Sequence, residues 1–119
     1  MAVSRLAGPG NMQGMAAAAS KIQVDVVRVG ATTTVFVRGD VDLAAAPELG
    51  RALAGNAAAG TELVVDLRQV AFLDCATLRV LLTAQRTQRA LGGSLRCTGA
   101  RGAVRRVLQV TGAARQLGC

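Results

Sequence analysis

The chain has 119 residues, 51% of them hydrophobic, and a formal net charge of +7. That length suits one domain with enough apolar side chains for a core, while a single pair of aromatics, Phe36 and Phe72, excludes modules that stack bases on exposed rings. There is no histidine, which removes His-activated nucleophiles, most zinc chemistry and histidine phosphoacceptors.

Residues 1–20 are rich in Gly, Ala, Ser and Met without a sustained period and read as a flexible tail ahead of a domain at 21–119. The start carries Arg5 but no compact apolar segment, so it does not read as a signal peptide, and Met15 is an alternative initiator. No apolar run approaches the length that spans a bilayer, so membrane insertion is not expected.

Ile22 to Val29 alternates apolar Ile22, Val24 and Val26 with Gln23 and Asp25, the pattern of a strand with one wet face. Thr34 to Gly39 is β-branched and aromatic, a second strand; the short link through Gly30 makes the two an antiparallel hairpin. Pro47 and Glu48 suit the first turn of a helix, and Leu49, Ala52 and Leu53 form its buried stripe. Glu62 to Leu67 is nearly all apolar, as a central parallel strand covered on both faces should be. A second short apolar run ends at Phe72-Leu73-Asp74, and Leu78, Leu81 and Leu82 then mark a helix that continues to about Leu91. Ser94 to Thr98 is the last strand, and Val104, Val107 and Leu108 share one face of a third helix, with Gly112 as its stop. The expected class is α/β: a mixed four-stranded sheet in the order β-β-α-β-α-β-α, its first strand antiparallel, with helices packed on it.

Four carboxylates follow strand ends: Asp40, Asp42, Asp66 and Asp74. A phosphoaspartate receiver would need an acidic pair after its first strand and a lysine late in the chain. The sole lysine is Lys21, and the opening hairpin is wrong for an all-parallel sheet. The simpler roles are turn chemistry or a cap for Asp42 and an N-cap for Asp74, accepting N–H bonds from Ala76 or Thr77. No glycine-rich phosphate loop and no nucleophile paired with a base is recognisable, so no cofactor, metal ligand set or catalytic residue is expected. What remains is the helix start, Asp74-Cys75-Ala76-Thr77. Its free backbone N–H groups and partial positive charge favour an anion or an acidic partner.

From about Ile22 onward the chain resembles the STAS domains of bacterial anti-sigma factor antagonists. The resemblance is carried by VFVRGDVDLAAAPEL, LVVDLRQVAFLDCATLRVLL and AVRRVLQVTG. It implies a non-enzymatic, cytoplasmic protein that regulates transcription by partner switching. Such an antagonist binds an anti-sigma factor, usually a serine kinase, and phosphorylation at the start of the second helix ends the interaction. It also implies a partner-binding surface of Asp40, Asp42, Asp74, Cys75, Ala76, Thr77 and Arg79. The family pattern at the turn is Asp-Ser-Ser/Thr-Gly-Leu; here Asp74 and Leu78 match, the phosphoacceptor position is Ala76, and the glycine position is Thr77.

Three readings of that turn follow. The protein binds its partner without a phosphate switch; or Thr77, one residue later, is the acceptor; or Cys75 is a redox thiol, set against the simpler role of small apolar filler. A STAS subunit of another assembly, a stress-signalling scaffold or a lipid-transport complex, is the alternative function.

Charge bears on the partner. Met1 to Asp74 carries six basic and seven acidic residues, whereas Cys75 to Cys119 carries eight arginines and no acid. A basic half attracts nucleic acid, membrane surfaces or acidic proteins. Without a reading motif, direct DNA binding is the weakest of these.

Overall fold

The computed structural model describes residues 2–5 and 22–119. Five strands form one sheet in sequential order: β1 (Ala2–Arg5), β2 (Ile22–Val29), β3 (Thr32–Val41), β4 (Glu62–Leu73) and β5 (Ser94–Thr98). β1–β2 and β2–β3 are antiparallel, β3–β4 and β4–β5 parallel. The helices are α1 (Ala46–Gly55), α2 (Cys75–Ala90), α3 (Gly102–Val110) and α4 (Ala113–Leu117).

The expected α/β class, hairpin and parallel units are present, and the sheet has one strand more than expected. Ala2–Arg5, placed by composition in a flexible tail, pairs with β2 from Ala2↔Arg28 to Arg5↔Asp25. The open edge of β2 offers unpaired backbone N–H and C=O groups, and pairing with them requires no apolar pattern. The remainder of the tail expected at 1–20 lies outside the described residues.

Two residues, Gly30 and Ala31, close the β2–β3 hairpin between the paired Val29 and Thr32. Gly30 has φ 60°, the left-handed value that a tight hairpin turn requires of its first residue.

β4 joins the two apolar runs into one strand of twelve residues. Its inward residues are Leu63, Val65 and Leu67 at a spacing of two, then Val70 and Leu73 at a spacing of three. The register explains the change: Phe36 pairs with Asp66 but Arg38 with Gln69, and Gly39 pairs with Val70 but Asp40 with Phe72. Each shift puts one extra residue into β4, a bulge that restores the inward direction. At the first bulge the Arg68 N–H donates to Asp66 Oδ1 at 2.9 Å. Gly99, at φ 77°, approaches so closely that a Cβ there would lie 3.1 Å from Arg68 Cβ.

One core unites a single face of the sheet with all four helices. It takes Val24 and Val35 from the hairpin, Leu49 and Leu53 from α1, Leu81 from α2, Leu108 from α3 and Leu117 from α4. Val64 and Asp66, on the other face of β4, are also buried. Fully burying one such leucine contributes about 1.5–3 kcal/mol, so the many buried Leu and Val side chains suffice without aromatics.

The inward stripe of α2 holds a departure from a purely apolar core. After Leu78 and Leu81 it continues with Gln85 and Gln88, both buried. Gln85 Nε2 donates to the Leu95 carbonyl at 3.1 Å and the Gln116 carbonyl at 2.7 Å, joining β5 to α4. Gln88 Oε1 accepts the Ala58 N–H at 3.2 Å, while its Nε2 faces the Thr61 carbonyl at 2.9 Å and the Ala58 carbonyl at 3.2 Å. These glutamines give buried backbone groups of the 58–61 loop, β5 and α4 polar partners that an apolar side chain could not supply.

Candidate functional site

The parallel register of β3 and β4 brings their C-terminal ends together, with Asp40 opposite Phe72 and Val41 opposite Leu73. α1 and α2 start just beyond these ends, as strand-to-helix connections do in parallel sheets.

Asp74 is the N-cap of α2, with extended backbone at φ −112° and ψ −177°. Its Oδ1 accepts the Thr77 N–H at 3.1 Å, and its carbonyl accepts the Leu78 N–H at 3.2 Å. That is the cap expected of Asp74, with Thr77 as the donor. Asp42 closes the turn before α1: its carbonyl accepts the N–H groups of Ala45 and Ala46 at 3.0 and 2.9 Å, and its Oδ1 accepts Ala45 N–H at 3.1 Å. α1 itself has no side-chain cap, so Asp42 supplies acceptors from outside the helix.

The remaining site residues divide by exposure. Asp40, Cys75 and Arg79 are exposed, while Ala76 is half-buried on the first turn of α2. Thr77, the alternative phosphoacceptor, is fully buried. Its hydroxyl donates to the Val41 carbonyl at 3.0 Å, with Asp74 Oδ1 at 3.1 Å as the other acceptor for the same hydrogen. A kinase reaches this oxygen only if the turn opens, and a phosphoryl group on it would lie against the Asp74 carboxylate. Thr77 thus stands behind the surface predicted to contain it. Cys75, weighed as apolar filler, is exposed instead.

Two apolar side chains belong to this end of the sheet although the sequence reading did not select them. Phe72 is 46% exposed and Leu43 is 73% exposed. The β4 bulges turn Leu73 inward, leaving Phe72 on the outside next to Asp40 in register. The available signal was an aspartate close to each, Asp42 just before Leu43 and Asp74 two residues after Phe72.

Arg79 also borders a groove of about 250 Å³ between α1 and α2, lined by Leu53, Ala54, Ala57, Val80 and Ala84. Gly50 faces Val80 there, where a Cβ would meet Cγ1 at 3.6 Å. Among the described residues, no group of three His, Cys, Asp or Glu side chains is arranged to hold a metal ion, so Asp40, Asp42 and Asp74 do not form such a set. No helix among them is long and apolar enough to cross a membrane.

A capped helix start beside paired parallel strand ends, on a mixed sheet covered by helices, defines a small domain of the α/β class. A family model described as "Mlab, STAS domain" matches residues 24–118, and the chain belongs to that STAS family. No curated protein matches it. Among solved structures, an anti-sigma factor antagonist from Mycobacterium paratuberculosis is similar at 27% identity, covering 81% of this chain and 82% of that one with a TM-score of 0.68. The anti-sigma factor antagonist SpoIIAA in its unphosphorylated form matches at 18% identity over 77% of this chain and 83% of its own, TM-score 0.63. A STAS-domain antisigma-factor antagonist from Rhodobacter sphaeroides matches at 18% identity over 66% and 87%, TM-score 0.55. The last two establish likeness of fold.

Proposed function

We propose that this chain is a non-enzymatic, cytoplasmic anti-sigma factor antagonist or modulator that binds an anti-sigma factor of the serine kinase type. Partner contact is made by Asp40, Asp42 and the exposed part of the Asp74–Arg79 turn, with Phe72 and Leu43 adding apolar area. The observation that carries this reading is the α2 start. It keeps an Asp-capped first turn, and Ala76 occupies the position at which the family resemblance places a phosphorylated hydroxyl. Buried Thr77 acts as a structural link, so binding carries no phosphate brake at this turn. The Arg-rich second half complements acidic surface on the partner.

The test is affinity capture with the full chain, in the presence and absence of Mg-ATP, followed by mass spectrometry. The expected result is a kinase-type anti-sigma factor retained under both conditions, with Ala76 and Thr77 unmodified. Loss of the partner on adding ATP, with phosphothreonine at Thr77, contradicts the unswitched reading. Recovery of an ATPase–permease pair instead assigns the chain to a lipid-transport assembly.

A further inference from the structure

α1 and α2 pack against each other, and where they meet their side chains are short. Gly50 and Ala54 of α1, Ala57 just past its end and Ala84 of α2 carry nothing beyond a Cβ, so the space between the helices stays open as the groove of about 250 Å³. Fully buried Leu53 is its floor, with half-buried Val80 beside it. Arg79, Thr83 and Thr87 are exposed and follow one another at intervals of four on α2. At the rise of an α-helix they mark one rim about 12 Å long.

The groove is apolar along its length and charged at one end. Of the described residues lining it, Arg79 alone is charged, and among the described residues no carboxylate forms an ion pair with its guanidinium. That combination fits a linear amphiphile with one anionic head. The head meets a cation whose planar fork binds a carboxylate through two N–H groups, and the tail covers Leu53, Val80 and the alanines. The dimensions set the tail. With a methylene group close in volume to a water molecule, about 30 Å³, the 250 Å³ of the groove holds about eight of them. A saturated carboxylate of about ten carbons supplies that number between its head and its terminal methyl, and its extended length matches a rim of about 12 Å. A diacyl lipid brings a second tail, for which this single lane has no room.

We propose that the α1–α2 groove binds a free straight-chain monocarboxylic acid of medium length, its carboxylate on Arg79 and its tail along Leu53, Val80 and Ala84 towards Thr87. Binding takes water off apolar side chains that the fold leaves uncovered and adds charge-assisted hydrogen bonds at one end. The groove is open on one side, so the tail is partly covered and each methylene adds about two- to fourfold in affinity until the groove is full. The proposal does not depend on the identity of the protein partner.

The experiment titrates the isotope-labelled full chain with sodium decanoate, kept below the concentration at which it forms micelles, and follows the backbone amide shifts. Saturable shifts at residues 50–57 and 79–87 are expected. From hexanoate through octanoate to decanoate the affinity should rise about two- to fourfold per methylene, and it should level off before tetradecanoate. Decanol, which keeps the tail and lacks the charge, should bind about tenfold more weakly. Arg79→Gln should lose about the same factor for decanoate and bind decanol unchanged, and Arg79→Lys should recover part of the loss. Ala54→Phe, which puts a ring into the groove from an exposed position on α1, should abolish the decanoate shifts. Should that variant fail to fold, the wild-type shift map and the exposed Arg79→Gln substitution still decide the matter. The proposal is overturned if the shifts spread over Arg101, Arg105 and Arg106 instead, if affinity keeps rising past tetradecanoate, or if Arg79→Gln binds decanoate as well as wild type. It is also overturned if phosphatidylglycerol vesicles move the 50–57 and 79–87 amides while decanoate does not. A second copy seated in the groove would show as shifts on diluting the protein alone, with no response to decanoate, and would overturn it as well.

Discussion

Thr77 Oγ1 lies 3.0 Å from the carbonyl oxygen of Val41, a residue 36 positions earlier in the chain. The bond fastens the first turn of α2 to the last residue of β3, with Asp74 capping the same turn. One buried hydroxyl therefore fixes where the candidate surface sits relative to the sheet.

Replacing Thr77 by Val should cost about 1–3 kcal/mol, because the shape is kept while a buried carbonyl loses its donor. Thr77→Ser, which retains the hydroxyl, should cost less. Urea denaturation of the three proteins measures both, and a neutral Thr77→Val would show that the bond contributes nothing.

Asp74→Ala should destabilise the protein by about 1 kcal/mol through loss of the N-cap. Asp74→Asn should recover most of that, since its side-chain carbonyl can still accept the Thr77 N–H. If partner binding needs the negative charge as well, Asp74→Asn will bind weakly while melting close to wild type. Calorimetry alongside a binding isotherm separates the two effects.

Ala76→Ser should create a phosphate switch. With the captured kinase and Mg-ATP, the variant should become phosphorylated at residue 76 and lose about tenfold or more in affinity, while wild type does not change. Phosphopeptide mapping and a competition assay give the answer. An Ala76→Ser protein that is phosphorylated yet binds undiminished would remove this turn from the partner interface.

Gly93→Ala should be among the most disruptive single-methyl additions in the chain. A Cβ there would come 2.2 Å from the Thr61 carbonyl oxygen and 2.9 Å from Gln88 Nε2. The backbone has to shift, so a loss of about 2 kcal/mol or more is expected by thermal melting. Gly55→Ala is the comparison: a Cβ there meets nothing within 4 Å, and helix propensity alone predicts a gain of up to about 1 kcal/mol.

Gln88→Leu should destabilise by about 1–3 kcal/mol although it makes the core more apolar. It strands the Ala58 N–H and takes one donor from the Thr61 carbonyl, which keeps the Ser94 N–H at 3.0 Å. Hydrogen exchange should show the 58–61 loop opening first.

The sequence by itself determined the α/β class, the β2–β3 hairpin, the three longer helices and the Asp74 cap. Each depends on neighbours in the chain: the alternation from Ile22 to Val26, Pro47 and Glu48 in a first turn, the Leu78 and Leu81 stripe, and an aspartate three residues before Thr77. It also determined that Ala76 has no hydroxyl to modify. Only the tertiary structure decided the rest. The spacing of three at Leu67, Val70 and Leu73 imitates a loop or helix until pairing with β3 reveals two bulges in one strand. Gln85 and Gln88 look like surface residues until the backbone they satisfy arrives from residues 58–61, Leu95 and Gln116. Thr77 looks like an available hydroxyl until Val41 covers it. Short-range dihedral and capping preferences are written into successive residues. Burial and hydrogen-bond partnership across dozens of residues exist only once the chain has folded.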